Sequence, residues 1–142
     1  MLTQGVPVLL LELKAMYTLD GISSVAMRRF TGLVRHDIRK ARRFAGATTE
    51  LYALLLVTHS EGTLEPRVEG VVKYRARINA ALDRLGTPAA VRRVSSRNTD
   101  VSLRALGPLT RGSIKAGRAF GVPVLIDYWL VGPVARGGLT GA

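Results

Sequence analysis

The run Val6-Pro-Val-Leu-Leu-Leu-Glu-Leu-Lys14 determines how the rest of the chain is interpreted. A short run that follows a glycine and is rich in Val and Leu is typical of a buried β-strand. Because side chains alternate between the two faces of a strand, Glu12 and Lys14 project to one side and Leu11 and Leu13 to the other. A buried charge is costly unless it is paired or binds a metal. The run therefore predicts either an ion pair or a functional site at Glu12 and Lys14.

Composition limits the class of protein. The chain has 142 residues, of which 47% are apolar, which is typical of one folded domain. No uncharged apolar run reaches the ~18 residues of a membrane-spanning helix, so we expect no membrane partner. The absence of cysteine excludes disulfides and thiolate metal sites and fits a cytoplasmic protein. His36 and His59 lack partners at zinc-ligand spacing, and we expect ordinary surface or packing roles for both.

The charge balance points to nucleic acid. The net charge is +11, from 21 basic and 10 acidic residues, and most of the basic residues are Arg. The planar guanidinium group donates two hydrogen bonds at once to a phosphate. Nucleic acid is thus the leading partner on charge, and a solvated basic surface is the alternative. The predicted nucleic-acid-binding residues cluster in one segment: Arg28, Arg29, Arg35, Arg39, Arg42 and Arg43.

A helix is predicted over residues 33–45, within this basic segment. Its apolar stripe, suited to packing on a sheet, consists of Val34, Ile38, Ala41 and Ala45. Arg35, Arg39 and Arg42 share an adjacent outward face, because positions three and four apart are neighbours on a helix. Such a face would follow a phosphate backbone, although an ordinary solvated helix face has the same pattern.

The rest of the chain alternates strand and helix patterns. We predict a strand at 51–57, a helix at 65–85 that ends at Gly86, a short strand at 89–96 leading into a polar loop at 95–100, a short helix around 110–120 and a final strand at 122–131. The tail at 135–142 is predicted to be disordered. This alternation favours one α/β domain over residues 1–134, with a central mixed sheet of about four strands flanked by helices.

The triplet Glu12-Leu13-Lys14 at a strand end, followed by a helix that carries Asp37 and by an apolar strand, resembles the PD-(D/E)xK nuclease superfamily. The resemblance covers roughly residues 6–60. It implies a restriction-endonuclease-like fold and metal-dependent hydrolysis of nucleic-acid phosphodiester bonds, in DNA more than in RNA. Glu12 and Lys14 would be catalytic. Glu12 and the carbonyl of Leu13 would bind Mg²⁺ or Mn²⁺, and Lys14 would orient the attacking water or stabilise the charged phosphorane.

The family also requires an Asp on the preceding strand, and residues 1–11 contain no acid. Either the chain starts after that strand, which is the interpretation we prefer, or the site is degenerate and the protein is a non-catalytic nucleic-acid-binding module. We expect Asp20 in a turn or helix cap, whereas the burial of Asp127 in an apolar strand would need an explanation. Glu61 and Glu65 follow the second strand and would line the same rim.

The first strand has a second consequence. A strand that is apolar on both faces is typical of the middle of a sheet, yet as the first strand it would pair on one side only. An unpaired apolar edge favours association with another chain. Strand-to-strand dimerisation would cover this edge, and so would pairing with an N-terminal extension. We therefore expect the 142-residue chain to be poorly soluble or a homodimer through the N-terminal strand, with an interface along residues 8–13.

Overall fold

The computed structural model describes residues 9–134 and has an α/β architecture in which helices flank a four-stranded mixed sheet. In chain order the elements are β1 (Leu9–Tyr17), α1 (Thr18–Ile22), α2 (Ser24–Ala41), β2 (Glu50–Ser60), a 3₁₀ turn (Pro66–Val68), α3 (Arg75–Leu85), α4 (Pro88–Arg104), β3 (Leu109–Ala119) and β4 (Val122–Val131). The predicted start of the first strand at Val6 and the predicted disordered tail from Ala135 lie outside the described residues.

The connections between the strands explain why the helices lie together. The sheet order is β1-β2-β4-β3, with β1 parallel to β2 and with β4 antiparallel to both of its neighbours. β3 therefore runs parallel to β2, and both crossovers, through α1–α2 and through α3–α4, advance in the same direction across the sheet. Crossovers of this kind are right-handed in nearly all proteins, so two that advance in one direction put their helices on the same face.

Burial along the strands identifies that face. Every second residue of β2 is buried, including Leu55 and Val57, and on β4 the same holds for Trp129 and Val131. These side chains form the main core with Met27, Val34 and Ile38 of α2 and Leu103 of α4. A second, smaller cluster joins α1, α3 and the start of α4 through Leu19, Ile78, Leu82 and Val91.

The opposite side of the sheet is called the open face here. It consists of Leu13, Leu54 and Leu130, which lie side by side on β1, β2 and β4, and of the alternate strand residues that point the same way. Leu11 and Leu13 are each about half exposed. Among the described residues, the apolar clusters that contain helices draw on the covered face rather than on these leucines.

The prediction of a strand at 89–96 and a loop at 95–100 was wrong, because residues 88–104 form α4. The buried stripe of this helix, Val91, Ser95, Thr99 and Leu103, has helical spacing. Two of its four members are small polar residues, which concealed the apolar period. Thr87 and Pro88 carry a stronger signal, since the Thr87 side chain caps the backbone N–H of Ala90 and Pro88 occupies the first turn.

The prediction of a helix around 110–120 was also wrong, because this segment is β3, an edge strand that pairs with β4. The two strands are joined through Phe120 and Gly121, which both have positive φ, as in the two-residue turns that suit hairpins. The usual Asn-Gly or Asp-Gly signal is absent. β3 also contains a register shift between Lys115 and Arg118, and few β-branched residues, so it lacks a clear strand pattern.

The other predicted elements are present with adjusted limits. The final strand at 122–131 is confirmed, and the second strand extends from 51–57 to Glu50–Ser60. The helix predicted at 33–45 begins earlier and ends earlier, as α2, with Val34 and Ile38 buried. The helix predicted at 65–85 is divided into the 3₁₀ turn and α3, which does end at Gly86. Within the described residues β1 pairs only with β2, at the edge of the sheet.

Candidate functional site

Glu12 and Lys14 lie on the helix-covered side of β1, as the alternation predicted. Lys14 Nζ lies 3.0 Å from Glu12 Oε1 and 2.7 Å from Oδ2 of Asp37 on α2. Hydrogen bonds to Asp37 and Glu12 raise the pKa of Lys14, and the Lys14 ammonium lowers the pKa of Asp37. The three side chains therefore form an ion-pair network that connects β1 to α2. This is one of the two outcomes expected for charges on an apolar strand.

This arrangement does not fit a divalent cation. The two carboxylates that would supply its oxygen ligands both contact the Lys14 ammonium, which occupies the position between them. Over residues 9–134, no group of three or more His, Asp or Glu side chains is placed to hold a metal ion. The other predicted ligand, the carbonyl of Leu13, lies on β1 where this strand pairs with β2. We therefore assign no chemical step to a metal at this position.

Asp127 is the centre of a second polar cluster, beneath α4. It is 4% exposed. Arg92 donates to both of its carboxylate oxygens, at 2.6 and 2.9 Å, and Ser113 and Ser96 donate at 2.6 and 3.1 Å. His59 Nε2 lies 3.2 Å from Oδ2 but is not aligned for a hydrogen bond. These partners explain how β4 accommodates a carboxylate among apolar neighbours.

The same partners determine the ionisation of Asp127. Burial alone would raise the pKa of Asp127, but the interactions with His59, Arg92 and Ser113 outweigh burial and hold its pKa well below the usual range. Hydrogen bonding to Asp127 in turn raises the pKa of Arg92. Asp127 and Arg92 are therefore a permanent ion pair that joins α4 to the sheet.

Thr18, His59 and Asp127 are arranged in the order of a nucleophile, a base and an orienting acid. Thr18 Oγ1 lies 2.9 Å from His59 Nδ1, on the side of the ring opposite to the nitrogen that faces Asp127. Each of the first two residues is only 3% exposed, however, so the Thr18 hydroxyl is buried. A substrate cannot reach it, so we assign the cluster a role in packing, as predicted for His59.

Basic side chains surround α4 in two adjoining grooves. The first, of about 750 Å³, lies between α2 and α4 and contains Arg28, Arg35 and Arg97. No acidic residue among the described positions 9–134 lines it. The second, of about 670 Å³, lies between α4 and β3 and contains Arg93, Arg97 and Arg104 together with Arg111 and the outer part of Arg92.

Two acids lie in the second groove, and both are already paired. Asp127 is bound by Arg92, and Asp100 accepts hydrogen bonds from Arg111 and from the indole N–H of Trp129. Five of the arginines that line the two grooves form no ion pair with any acid of the described chain, and we call these five the basic surface: Arg28, Arg35, Arg93, Arg97 and Arg104. Arg97 contributes to both grooves, so this surface continues across α4.

Of the six predicted nucleic-acid-binding arginines, two line a groove and four do not. Arg28 and Arg35 lie in the first groove, next to α4. Arg29, Arg39 and Arg43 are exposed, and Arg42 is half-buried at the C-terminal cap of α2, away from both grooves.

Sequence reasoning missed Arg104, and it missed that Arg93 and Arg97 belong to one helix face, because residues 89–100 were assigned to a strand and a loop. The signal that identifies α4, a Thr-Pro helix start, would have revealed that face. Asp20, by contrast, accepts a hydrogen bond from the backbone N–H of Tyr17 and caps α1, as predicted.

Comparison with known proteins gives no relative for this chain: no family model, no curated protein and no solved structure matches it. The resemblance to the PD-(D/E)xK superfamily and the restriction-endonuclease-like fold thus stay predictions. Over the described part of the chain, no helix combines the length and the apolar character that crossing a membrane requires.

Proposed function

We propose that this protein binds nucleic acid by contacting the phosphate backbone with the basic surface on α2 and α4. The observation that carries the proposal is the set of five groove-lining arginines that no acid of the described chain neutralises. Arg that is already paired contributes little to binding a phosphate, whereas unpaired Arg can donate two hydrogen bonds to it. The net charge of +11 acts in the same direction by attracting a polyanion from a distance.

The spacing along α4 suits a repeated anionic ligand. Arg93, Arg97 and Arg104 are four and then seven residues apart, so they lie along one side of the helix. At 1.5 Å per residue they span about 16 Å of helix axis. A duplex strand presents one phosphate per 3.4 Å of its own axis, so this length corresponds to about five phosphates.

The chemistry of the surface favours binding with little sequence preference. Base reading needs side chains that reach base edges in a groove, whereas phosphate contacts determine position and carry no sequence information directly. Trp129, the only tryptophan of the chain, is 1% exposed and donates its indole N–H to Asp100, so it offers no stacking surface. We therefore expect affinity that depends strongly on salt and weakly on sequence.

The test compares two triple variants with equal loss of charge. Arg93→Gln, Arg97→Gln and Arg104→Gln should weaken binding of a duplex and reduce the slope of log K against log salt by about 0.9 for each phosphate that the variant no longer neutralises. The matched control removes three exposed arginines that lie outside both grooves and form no ion pair with the described residues, Arg77, Arg84 and Arg118, again by change to Gln. Equal slopes for the two triple variants would contradict the proposal, because net charge alone would then explain the binding.

The nuclease predicted from Glu12-Leu13-Lys14 is tested separately from binding. Incubation of the protein with labelled DNA and Mg²⁺ or Mn²⁺ would reveal cleavage, which Lys14→Ala should abolish if the prediction is correct. The variant with Arg93→Gln, Arg97→Gln and Arg104→Gln tests binding only, and its result does not decide whether the protein cleaves DNA. If cleavage is no greater than with Lys14→Ala while binding is intact, the protein is a binding module and not a nuclease.

A further inference from the structure

The middle of the open face is an apolar surface that no helix of the described structure covers. Leu13, Leu54 and Leu130 lie in one row across three strands, and Ala15, Leu56 and Tyr128 form the next row. Leu9, Leu11 and Leu13 are each 48–57% exposed at one side of it. At the other side, Tyr128 covers Gly112 of β3, where an added Cβ atom would clash with the Tyr128 ring and hydroxyl. Tyr128 therefore fills the space that a side chain on β3 would otherwise take, and the surface is closely packed there.

The size of this face is that of a dimer interface. β1 has nine residues. With strands about 4.8 Å apart and a rise of about 3.3 Å per residue, a four-stranded face of that length covers roughly 600 Å² before side-chain relief is counted. Monomeric proteins rarely expose a contiguous apolar patch above a few hundred Å². A stable interface buries about 800 Å² of accessible surface on each partner, which this face can supply with its side chains.

The distribution of charge indicates what covers the face. The chain has 21 basic residues, yet the alternate strand residues that form the open face include no Lys or Arg. Their one acid is Glu50, the first residue of β2, which accepts a hydrogen bond from the Tyr52 hydroxyl. A two-fold interface brings the same patch of both subunits together, so it must avoid like charges. A face whose one charge is Glu50, at its margin, meets this condition, and the basic surface lies on the opposite side of the sheet.

We propose that the open face binds a second copy of this chain, with the two sheets packed face to face. Sheets pack in this way at about 10 Å, with their inner side chains interdigitated. The proposal differs from the predicted strand-to-strand dimer along residues 8–13. Leu9, Leu11 and Leu13 contribute side chains to the interface, while the backbone edge of β1 stays unpaired. It does not depend on nucleic-acid binding, because it concerns the other side of the sheet.

The experiment measures molar mass by light scattering over a dilution series. The protein should be a dimer of 15.3 kDa chains. Leu13→Gln with Leu54→Gln places two amides in the row formed by Leu13, Leu54 and Leu130, and should shift the dissociation midpoint at least tenfold toward higher concentration. The matched control, Val25→Gln with Val71→Gln, changes two apolar residues that are 65% and 73% exposed outside the sheet, and should leave the midpoint unchanged.

Two further measurements make the result decisive. Near-ultraviolet circular dichroism of the buried Trp129 reports whether the Leu13→Gln, Leu54→Gln variant stays folded. If it unfolds, Leu11→Gln alone, at a half-exposed position, replaces it. Hydrogen exchange of the β1 amides that do not bond to β2 separates the two kinds of dimer. Fast exchange within the dimer supports face-to-face packing. A monomer throughout the dilution series, or a dimer in which these amides are protected, would overturn the proposal.

Discussion

Asp127 shows how a single charged residue can connect elements that are distant in the chain. It lies on β4, and its partners Arg92, Ser113 and His59 come from α4, β3 and β2. A buried ion pair of this kind adds little net stability compared with apolar packing, because both charges lose water. Removing one partner is different, since it leaves the other charge without compensation. The pair therefore specifies where α4 docks on the sheet.

Asp127→Asn should lower the free energy of unfolding by about 2–4 kcal/mol, because Arg92 loses its counter-charge. The lower part of the range is expected, since the Arg92 side chain is 34% exposed and water screens part of its charge. Chemical denaturation measures the loss. Asp83→Asn is the matched control, because Asp83 is exposed on α3 and forms no ion pair with the described residues, and its effect should stay within about 0.5 kcal/mol. Equal losses would contradict the role assigned to Asp127.

The pH dependence of stability tests the same carboxylate independently. The pKa of Asp127 is depressed in the folded protein, so its contribution is complete above the unfolded value of about 3.9 and is lost as the pH falls further. The wild-type protein should therefore lose stability as the pH falls below about 4. Asp127→Asn lacks this titration, so its profile should be flatter and approach that of the wild type at low pH. Parallel profiles would show that the pKa of Asp127 is not depressed.

At the scale of elements, the contact between α1 and α4 depends on the absence of a side chain. A Cβ atom added at Gly21 would clash with Ser95 Oγ. Ser95 is fully buried, and Asn98, one turn further along α4, donates hydrogen bonds to the carbonyls of Gly21 and Ile22 at the end of α1. The two helices thus meet at a glycine, and α4 caps the short helix.

Gly21→Ala should destabilise the protein by about 1–3 kcal/mol through overpacking, as measured by denaturation. Gly32→Ala on α2 is the matched control, because no atom lies within 4 Å of its added Cβ, and it should stabilise by about 0.5–1 kcal/mol through helix propensity. Ser95→Ala removes the closest clashing atom, so it should recover part of the loss in the double variant. If Ser95→Ala recovers none of the loss, the cause lies outside this contact.

The elements that the sequence predicted correctly are those in which apolar side chains dominate. β1, β2 and β4 were recognisable because Val and Leu runs mark them. Strand alternation placed Glu12 and Lys14 on one face, but it left an ion pair and a metal site equally open, and the contact of Lys14 with Asp37 was not predicted. α4 was not recognisable, because Ser95 and Thr99 occupy its buried stripe, and its basic face was missed with it. The ion pair of Asp127 with Arg92 joins residues 35 positions apart, and such contacts depend on tertiary packing that no local pattern contains.

At the scale of the whole molecule, the sheet separates two surfaces of opposite character. The helix layer on one side carries the basic surface, and the open face on the other side is apolar and free of basic residues. If both proposals hold, face-to-face packing of two copies directs two basic surfaces away from each other. Each dimer would then offer two phosphate-binding surfaces on opposite sides, too far apart to engage one short duplex together.

Such a dimer should bridge two separate duplexes. With one duplex immobilised, the wild-type protein should retain a second, labelled duplex, and salt should release it. Leu13→Gln with Leu54→Gln should lose this retention at concentrations where it is monomeric, while keeping the wild-type salt slope for binding one duplex. The variant with Arg93→Gln, Arg97→Gln and Arg104→Gln should lose both the retention of the second duplex and the wild-type salt slope, because it remains a dimer but its phosphate contacts are weakened. Retention of the second duplex by a monomeric variant would show that bridging comes from two sites on one chain, and would separate nucleic-acid binding from dimerisation.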